Sequence, residues 1–327
     1  MRIKFIILVI FSLLILVNCA KPSDPTESDN ILKIEKTLST GGYARDLSVV
    51  DEVVFAAEDD QGFSIFNHVS ETRLCLVDSI NGAHLQNVTS ISASLDEDLL
   101  FVYSTSGTNS ILIFDISDFM NPQYIFYLSG DTADLNKMET YPNPVSGIDI
   151  FWSIHNLLKY TTYDNSWSGI DSHVLPGAIE GFDVNGNLIA VAGLQLGFYI
   201  LDRTSGTILS TTDTPGQALD VKIVDNSVIV ALREEGFMIF DITDPADPQE
   251  IYSKNLSDLI YTVDAEDNYL VLSSHAGGVF LYDISDIANP EYIGKLGSGD
   301  IGFTYNAMLQ DGKIFAATRL GIQVITF

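Results

Sequence analysis

The chain has 327 residues, with 44 acidic against 16 basic side chains and a formal net charge of −28. A surface of that charge repels phosphate backbones, which excludes nucleic acids from the expected partners. It attracts cations and basic proteins, although solubility alone, or adaptation to a salty habitat, also explains the composition.

The first element is a targeting segment, residues 1–18. Arg2 and Lys4 precede a short apolar run, Phe5 to Val17, which is shorter than the roughly twenty residues of a transmembrane helix. The run leads to Cys19 in a pattern that looks like a bacterial lipobox, although Asn18 departs from the usual small residue. We predict a lipoprotein signal peptide and a lipidated Cys19; the alternative is an ordinary signal peptide followed by a chance cysteine.

Residues 19–30 comprise this cysteine and a stretch rich in Pro, Ser, Asp and Glu, which predicts a flexible tether. Ala20 is not the aspartate that often retains lipoproteins on the inner membrane. The expected location is therefore the bacterial envelope, on the periplasmic or surface face of the outer membrane. With Cys19 lipidated, no intrachain disulfide can form, and Cys75 is expected to be a buried structural thiol.

A repeat dominates residues 31–327. A short apolar strand that ends in Asp or a related residue recurs every 38 to 49 residues, and Gly236 to Asp241 is a good copy. The seven copies end at residues 67, 115, 164, 202, 241, 283 and 326. Each good unit reads as four strands, the last of them a proline-interrupted edge strand. Four-stranded units at this spacing predict the blades of an all-β, seven-bladed β-propeller.

The two ends of the repeat region predict how the ring closes. The last unit stops after its third strand, at Phe327, while Ile31 to Leu38 reads as a strand with no unit of its own. A closed ring removes exposed sheet edges. We therefore predict that the N-terminal strand completes the last blade by pairing with Leu320 to Thr326.

The repeat also suggests a family. The run Gly278 to Asp286, followed by Asn289-Pro290, resembles the LVIVD repeat, and Asp241 to Pro245 and Asp115 to Asp118 match it too. The resemblance covers nearly all of residues 31–327 and is weakest around Asp164. It implies a propeller like those of bacterial and archaeal envelopes, with no general set of catalytic residues.

The sequence contains no recognised catalytic or metal-binding motif. The five histidines lack metal-ligand spacing, and no nucleophile elbow, P-loop or dinucleotide fingerprint occurs, so no catalytic residue, metal site or cofactor is assigned. The aspartates that end the third strands, and those in the hairpin turns, are expected to form Asx-type turns rather than to bind calcium.

A more informative set lies five residues before the hairpin turns. Because the first strand of a propeller blade is usually innermost, these side chains are expected in the central channel; they are Asp46, Ile91, Glu180, Asp220, Thr262 and Asn306. Their carboxylates would hold a divalent cation or water, and the alternative is a solvated lining without a ligand. Neighbouring residues form either an aromatic ligand platform or packing between blades; they are Tyr43, Arg45, Tyr261, Phe303 and Tyr305.

The segment Asp131 to Gly147 is the largest departure from the repeat length. Insertions in repeat proteins map to loops on one face, often the binding face. We therefore predict that this region contacts a partner through Tyr141, Trp152 and Trp167, with plain repeat decay as the alternative.

Three functions fit these features. The preferred one is a non-catalytic, lipid-anchored envelope module that binds a protein or an extracellular polysaccharide, because no catalytic constellation is recognisable. The second is a glycan hydrolase or lyase that uses channel carboxylates as acid and base. The third is a structural propeller stabilised by a cation.

Overall fold

The computed structural model describes residues 31–105, 109–128 and 134–327, so the predictions for Cys19 and the rest of residues 1–30 lie outside it. Within these ranges the chain forms seven four-stranded antiparallel sheets and one small two-stranded sheet. The fold is the predicted seven-bladed β-propeller. No described helix is long and apolar enough to cross a membrane.

The strands follow one another from the innermost to the outermost position of each blade. The first strand of the chain and the strands of blade one are β1 Lys33–Leu38, β2 Asp46–Val50, β3 Val53–Ala57, β4 Phe63–Asn67 and β5 Thr72–Val77. A small hairpin and blade two follow, with β6 Ser79–Ile80, β7 Ala83–His84, β8 Val88–Ser94, β9 Leu99–Ser104, β10 Ser110–Asp115 and β11 Gln123–Leu128. Blade three contains β12 Leu135–Pro142, β13 Ile148–Ile154, β14 Leu157–Tyr163 and β15 Asp171–Val174.

The second half of the chain repeats the same order. Blades four and five contain β16 Phe182–Asn185, β17 Leu188–Ala192, β18 Phe198–Asp202, β19 Ile208–Thr212, β20 Ala218–Val224, β21 Ser227–Leu232, β22 Gly236–Asp241 and β23 Gln249–Lys254. Blades six and seven contain β24 Thr262–Glu266, β25 Tyr269–Ser274, β26 Gly278–Asp283, β27 Glu291–Leu296, the short helix α1 Ser298–Ile301, β28 Thr304–Gln310, β29 Lys313–Thr318 and β30 Gly321–Thr326.

The middle strands of the blades are buried on both faces. In β3 and β21 every residue is buried, which explains why these segments read as continuous runs of apolar and β-branched residues. The outermost strands β5 and β23 are largely exposed or half-buried. Seven apolar clusters lie between neighbouring blades, one at each interface around the ring. The core is therefore a ring of blade interfaces rather than a single centre.

The ring closes as the sequence predicts. Strand β1 pairs antiparallel with β30, from Lys33 opposite Thr326 to Leu38 opposite Ile322, and supplies the fourth strand of blade seven. Leu38 is 2% exposed and packs in the cluster between blades seven and one. One sheet thus contains both ends of the propeller.

The prediction that residues 131–147 form an inserted loop is wrong for most of their described part. Residues 135–142 are β12, the innermost strand of blade three, and of the described residues of this segment only Asp134 and the turn from Asn143 to Gly147 lie outside a strand. This strand is difficult to recognise in the sequence, because the strand contains polar residues such as Lys137 and Glu139, which line the channel.

Candidate functional site

The candidate site is the central channel and its mouth. Every innermost strand pairs with the second strand of its blade in an equivalent register, which fixes the height of each side chain along the channel. The residues at one height, called the first ring, are Asp46, Ser90, Lys137, Gly181, Asp220, Thr262 and Asn306. The residues two positions further along, called the second ring, are Ser48, Ser92, Glu139, Asp183, Lys222, Asp264 and Met308. The residues one position before the first ring, called the mouth ring, are Arg45, Thr89, Asn136, Glu180, Leu219, Tyr261 and Tyr305.

One cavity of about 490 Å³ runs through these levels and is lined by the whole mouth ring and the whole first ring. All five residues proposed from the sequence as channel ligands line it. Asp46, Asp220, Thr262 and Asn306 belong to the first ring, and Glu180 lies one position nearer the mouth. The sixth expected channel residue is displaced, because Ile91 is only 2% exposed and belongs to the core between blades one and two.

Four channel carboxylates join neighbouring blades. Each accepts a hydrogen bond from a backbone N–H of the innermost strand of the next blade, as follows: Ile91 to Asp46 at 3.1 Å, Ile223 to Asp183 at 2.7 Å, Val263 to Asp220 at 3.2 Å and Leu309 to Asp264 at 2.8 Å. Buried N–H groups at a strand edge need an acceptor, and these side chains supply it. The repeated acidic residues are therefore part of the blade-to-blade contact.

Asp46 is the most heavily engaged of these groups. Its carboxylate also accepts hydrogen bonds from Ser90 Oγ at 3.0 Å and from Asn306 Nδ2 at 2.8 Å. It thereby connects blades seven, one and two. Burial nevertheless raises the pKa of Asp46, because these hydrogen bonds offset the loss of water only in part.

Two lysines neutralise part of the acidic lining. Lys137 Nζ lies 3.1 Å from Asp220 Oδ1 and 3.5 Å from Glu139 Oε2, and Lys222 Nζ lies 2.8 Å from Asp264 Oδ1. Burial by itself lowers the pKa of Lys137, but Asp220 and Glu139 reverse this and hold the pKa above the ordinary lysine value. Lys137 is therefore charged at neutral pH and bridges blades three and five.

Gly181 makes that bridge possible. It is the first-ring residue of blade four, between Lys137 and Asp220, and it presents no side chain to the channel. A Cβ at this position would lie 2.8 Å from both Asp220 Cα and the Leu219 carbonyl oxygen, closer than real Cβ contacts. The glycine thus allows the innermost strands of blades four and five to approach closely.

The carboxylates are arranged for hydrogen bonds and ion pairs rather than around a common centre. Across residues 31–105, 109–128 and 134–327, no group of three or more His, Cys, Asp or Glu side chains is placed to hold a metal ion. Glu180 differs from the other acidic residues, because its side chain has no hydrogen bond within the described part of the chain. Burial raises its pKa, and its carboxyl group lines the cavity near the mouth.

The mouth is lined by aromatic rings and guanidinium groups, whereas the channel is lined mainly by carboxylates and other polar groups. A continuous row of rings and a guanidinium, called the mouth stack, consists of Tyr261, His275, Phe303, Arg319 and Tyr43. The Tyr261 and His275 ring centroids lie 3.4 Å apart, and those of His275 and Phe303 lie 4.7 Å apart, with nearly parallel planes. Arg319 Cζ lies 4.4 Å from the Phe303 centroid and 5.4 Å from that of Tyr43. These distances are typical of aromatic stacking and cation–π contact.

A second guanidinium lies beside the mouth stack. Arg45 Cζ is 4.6 Å from the centroid of the Tyr305 ring, and Arg319 Nε donates a hydrogen bond of 3.0 Å to the Tyr305 hydroxyl. Tyr305 therefore holds both arginines at the edge of the channel. Of the aromatic residues that the sequence placed near this site, Tyr43, Tyr261, Phe303 and Tyr305 each contact an arginine or the central histidine.

Sequence reasoning missed three residues of this mouth. Arg233, His275 and Arg319 follow the second strands of blades five, six and seven at equivalent positions, and that shared position was the signal available. Burial and the three surrounding cations Arg45, Arg233 and Arg319 lower the pKa of His275 to about 4. The imidazole is therefore neutral at pH 7 and stacks without adding charge.

The residues predicted to contact a partner lie elsewhere. Trp152 is 1% exposed and packs between blades two and three, and Trp167 packs edge-on against Phe101 and Phe126 at the same interface. Tyr141 is buried, with its hydroxyl 2.8 Å from Glu139 Oε2. All three side chains contribute to packing, and little of Tyr141 or Trp152 is available to a partner.

Comparisons with known proteins agree with this fold. Residues 215–255, which enclose the whole of blade five, match the sequence model of the LVIVD repeat, so the resemblance is confirmed at that unit. No curated protein sequence matches the chain. The chain is similar to the structure of U3-55K, with a TM-score of 0.72 and 14% identity over 93% of this chain and 100% of that one. It is also similar to the computationally designed Ika8 protein, with a TM-score of 0.65 and 12% identity over 92% and 100% of the two chains. At these identities the likeness shows the fold alone.

Proposed function

We propose that this LVIVD-repeat propeller is a non-catalytic binding module of a bacterial envelope, anchored by lipid on Cys19, and that it engages its ligand at the mouth of the central channel. The observation that carries the proposal is the mouth stack with Arg45 beside it. Arginine and tyrosine are, with tryptophan, the residues enriched at energetically dominant contacts of binding interfaces. The preformed cavity behind them has a volume typical of ligand sites.

The acidic channel supports binding rather than catalysis. An acid–base pair needs carboxyl groups that are free to exchange protons with a substrate. Asp46, Asp183, Asp220 and Asp264 instead accept backbone N–H groups of the next blade, and Lys137 and Lys222 form ion pairs with the last three of them. The Glu180 carboxyl group, which has no hydrogen-bond partner among the described residues, lines the cavity near the mouth, where it suits hydrogen bonding to a bound ligand.

Site-specific photo-crosslinking tests the location of binding. A photoreactive residue is placed at Leu320, which is 59% exposed and lies next to Arg319, and a matched one at Met120, which is 72% exposed. Met120 lies in the connection between β10 and β11, on the opposite face of the ring from the mouth. Irradiation of the host envelope should give a saturable adduct from position 320 and none from position 120.

Binding at the mouth and lipid anchoring through Cys19 are tested separately. Equal capture from both positions, or none from position 320, contradicts binding at the mouth. A Cys19→Ser chain should leave the membrane fraction, which tests the lipid anchor independently. A Cys19→Ser chain that stays with the membrane contradicts the anchor and leaves the mouth as the binding site.

A further inference from the structure

The mouth presents guanidinium groups whose hydrogen-bonding edges are available. Arg45 and Arg319 lie over aromatic rings, with their Cζ atoms 4.6 Å and 4.4 Å from the Tyr305 and Phe303 centroids. The nearest carboxylate to Arg45 is that of Asp59, whose Oδ2 lies 3.8 Å from Arg45 Nε, longer than a hydrogen bond. In the described part of the chain, Arg319 has no carboxylate partner, and its one hydrogen bond goes to the Tyr305 hydroxyl.

Such an arrangement selects an anion with a planar face. A guanidinium presents its N–H groups as a fork that matches the two oxygens of a carboxylate. Stacking fixes the orientation of the fork beforehand, so less conformational entropy is lost on binding. Three of the six arginines in this strongly acidic chain surround His275, which concentrates positive charge at one point of the ring.

The layer below the arginines is polar almost all the way round. In the first ring six of the seven blades contribute a hydroxyl, an amide, a carboxylate or an ammonium group, and the seventh contributes Gly181. Glu180 lines the same cavity with its carboxyl oxygens unoccupied by hydrogen bonds from the described residues. Part of this capacity is used within the protein, since Asp46 accepts from Ser90 and Asn306 and Asp220 accepts from Lys137. A ligand that reaches this layer meets a polar lining, which a ring bearing several hydroxyl groups suits better than an apolar group does.

A peptide fits this channel less well. An extended peptide is recognised by adding a strand to a free sheet edge. Here the innermost edges of blades two, five, six and seven already have N–H groups that donate to Asp46, Asp183, Asp220 and Asp264. The main chain of a peptide would therefore find few partners in the channel.

We infer that the mouth binds a carboxylate-bearing sugar, the end of an acidic polysaccharide of the uronic acid type. Its carboxylate is held by Arg45 and Arg319, and its hydroxyl groups face Glu180, Asn136 and the first ring. This inference rests on the proposed function, because it names the ligand class for the same mouth.

Calorimetric titration of the full chain with galacturonate trisaccharide tests the inference, with the neutral galactose trisaccharide as the matched ligand. We expect saturable binding of the acidic sugar at one site and binding of the neutral sugar at least tenfold weaker. Arg45→Met and Arg319→Met should each weaken binding about tenfold or more, the equivalent of losing one charge-assisted contact. Tyr305→Phe, which removes only a hydroxyl, should weaken it by a smaller factor.

The matched control variant is Arg73→Met. Arg73 also lies over a ring, with Cζ 5.4 Å from the Phe66 centroid, but it belongs to the outermost strand β5. It should bind like the unmodified chain. If a methionine variant unfolds, the Arg45→Lys variant is used instead. Lysine keeps the positive charge but lacks the paired N–H donors of the guanidinium group, so the affinity of this variant for the acidic sugar should also fall.

Several results would overturn the ligand class. They are no binding of the acidic sugar, equal binding of the neutral sugar, unchanged affinity in both arginine variants, or tighter binding of a pentaglutamate peptide. If any of these occurs while position 320 still gives an adduct, binding at the mouth stands and only the sugar assignment fails. If position 320 gives no adduct, the proposed function itself fails.

Discussion

At the scale of single residues, the aspartates divide into two structural roles. Asp115, Asp241 and Asp283, at the ends of third strands, each accept the backbone N–H of the residue two positions on, at 2.8 to 2.9 Å. This confirms the Asx-type turns predicted from sequence. Hydrogen bonds from the hydroxyl groups of Ser117, Thr243 and Ser285, together with those from the backbone N–H groups of the same residues, lower the pKa of these carboxyl groups. The channel aspartates instead accept N–H groups from another blade.

Gly181 is a point of close approach between two of these innermost strands, and Gly181→Ala tests its importance. The added methyl group would press against the Asp220 backbone, so the innermost strands of blades four and five must separate. Overpacking of this kind costs about 1–3 kcal/mol, and we expect a loss of that size in the free energy of unfolding by urea.

The control for this variant is Gly169→Ala. Gly169 is exposed, and a Cβ there would meet no atom within 4 Å. The Gly169 change should leave the free energy of unfolding nearly the same. Equal effects of the two substitutions would show that the close approach at Gly181 does not limit the packing of the ring.

At the scale of elements, β1 is the strand that makes the ring continuous. It contributes one fully buried end, Leu38, and an exposed middle, since Ile34 is 39% exposed. Its main-chain ladder with β30 closes blade seven, and Lys313 Nζ, from β29, forms an ion pair of 2.6 Å with Glu35 Oε2. A surface pair of this kind contributes little, so burial and the ladder dominate.

Leu38→Ala and Ile34→Ala separate burial from strand pairing. Leu38→Ala should lower the free energy of unfolding by about 2–5 kcal/mol, because it leaves a cavity between blades seven and one. Ile34→Ala changes the same strand at an exposed position and should cost under about 1 kcal/mol. Urea-induced unfolding measures both, and a larger loss from the Ile34 change would mean that β1 is not packed as described.

At the scale of the whole molecule, charge is distributed unevenly. The chain is strongly acidic, yet Arg45, Arg233 and Arg319 gather at one channel mouth, and Lys137 and Lys222 are drawn into the channel by carboxylates. The channel aspartates Asp46, Asp183, Asp220 and Asp264 are supplied with N–H or ammonium donors by the protein itself. The fold therefore provides internally the positive charge that a bound cation would otherwise supply.

A chelator tests whether the negative charge of the channel carboxylates is balanced by donors of the protein itself or by a bound cation. We expect the melting temperature to stay the same when EDTA is added, because no described group of ligands requires a cation. The control is NaCl at the same ionic strength, since added salt by itself screens the acidic surface. A melting temperature that falls with EDTA but not with NaCl would favour the cation-stabilised alternative.

The sequence by itself determined the blade repeat, the number of blades, the pairing of β1 with the last blade and the turn role of the repeated aspartates. These depend on local patterns of apolar and turn residues, which survive in every good copy. The tertiary structure decided which residues face the channel. Counting from an assumed two-residue turn selected Glu180 one position before the first-ring residue Gly181, because the turn is Gly186-Asn187, and Glu180 still lines the cavity. The same count misplaced Ile91, because β8 and β9 are joined by the four residues 95–98. A shift of one residue moves a side chain to the opposite face of a strand.

Local sequence patterns also do not predict strand β12 or which residues meet at the mouth. The side chains of β12 that line the channel are polar, so the strand lacks the apolar alternation by which strands are recognised. Arg45, Arg233, His275 and Arg319 are far apart in sequence, and only the closed ring brings them to one mouth. Local patterns reveal what each blade buries against its neighbours, whereas the composition of a site at the centre depends on how seven blades meet.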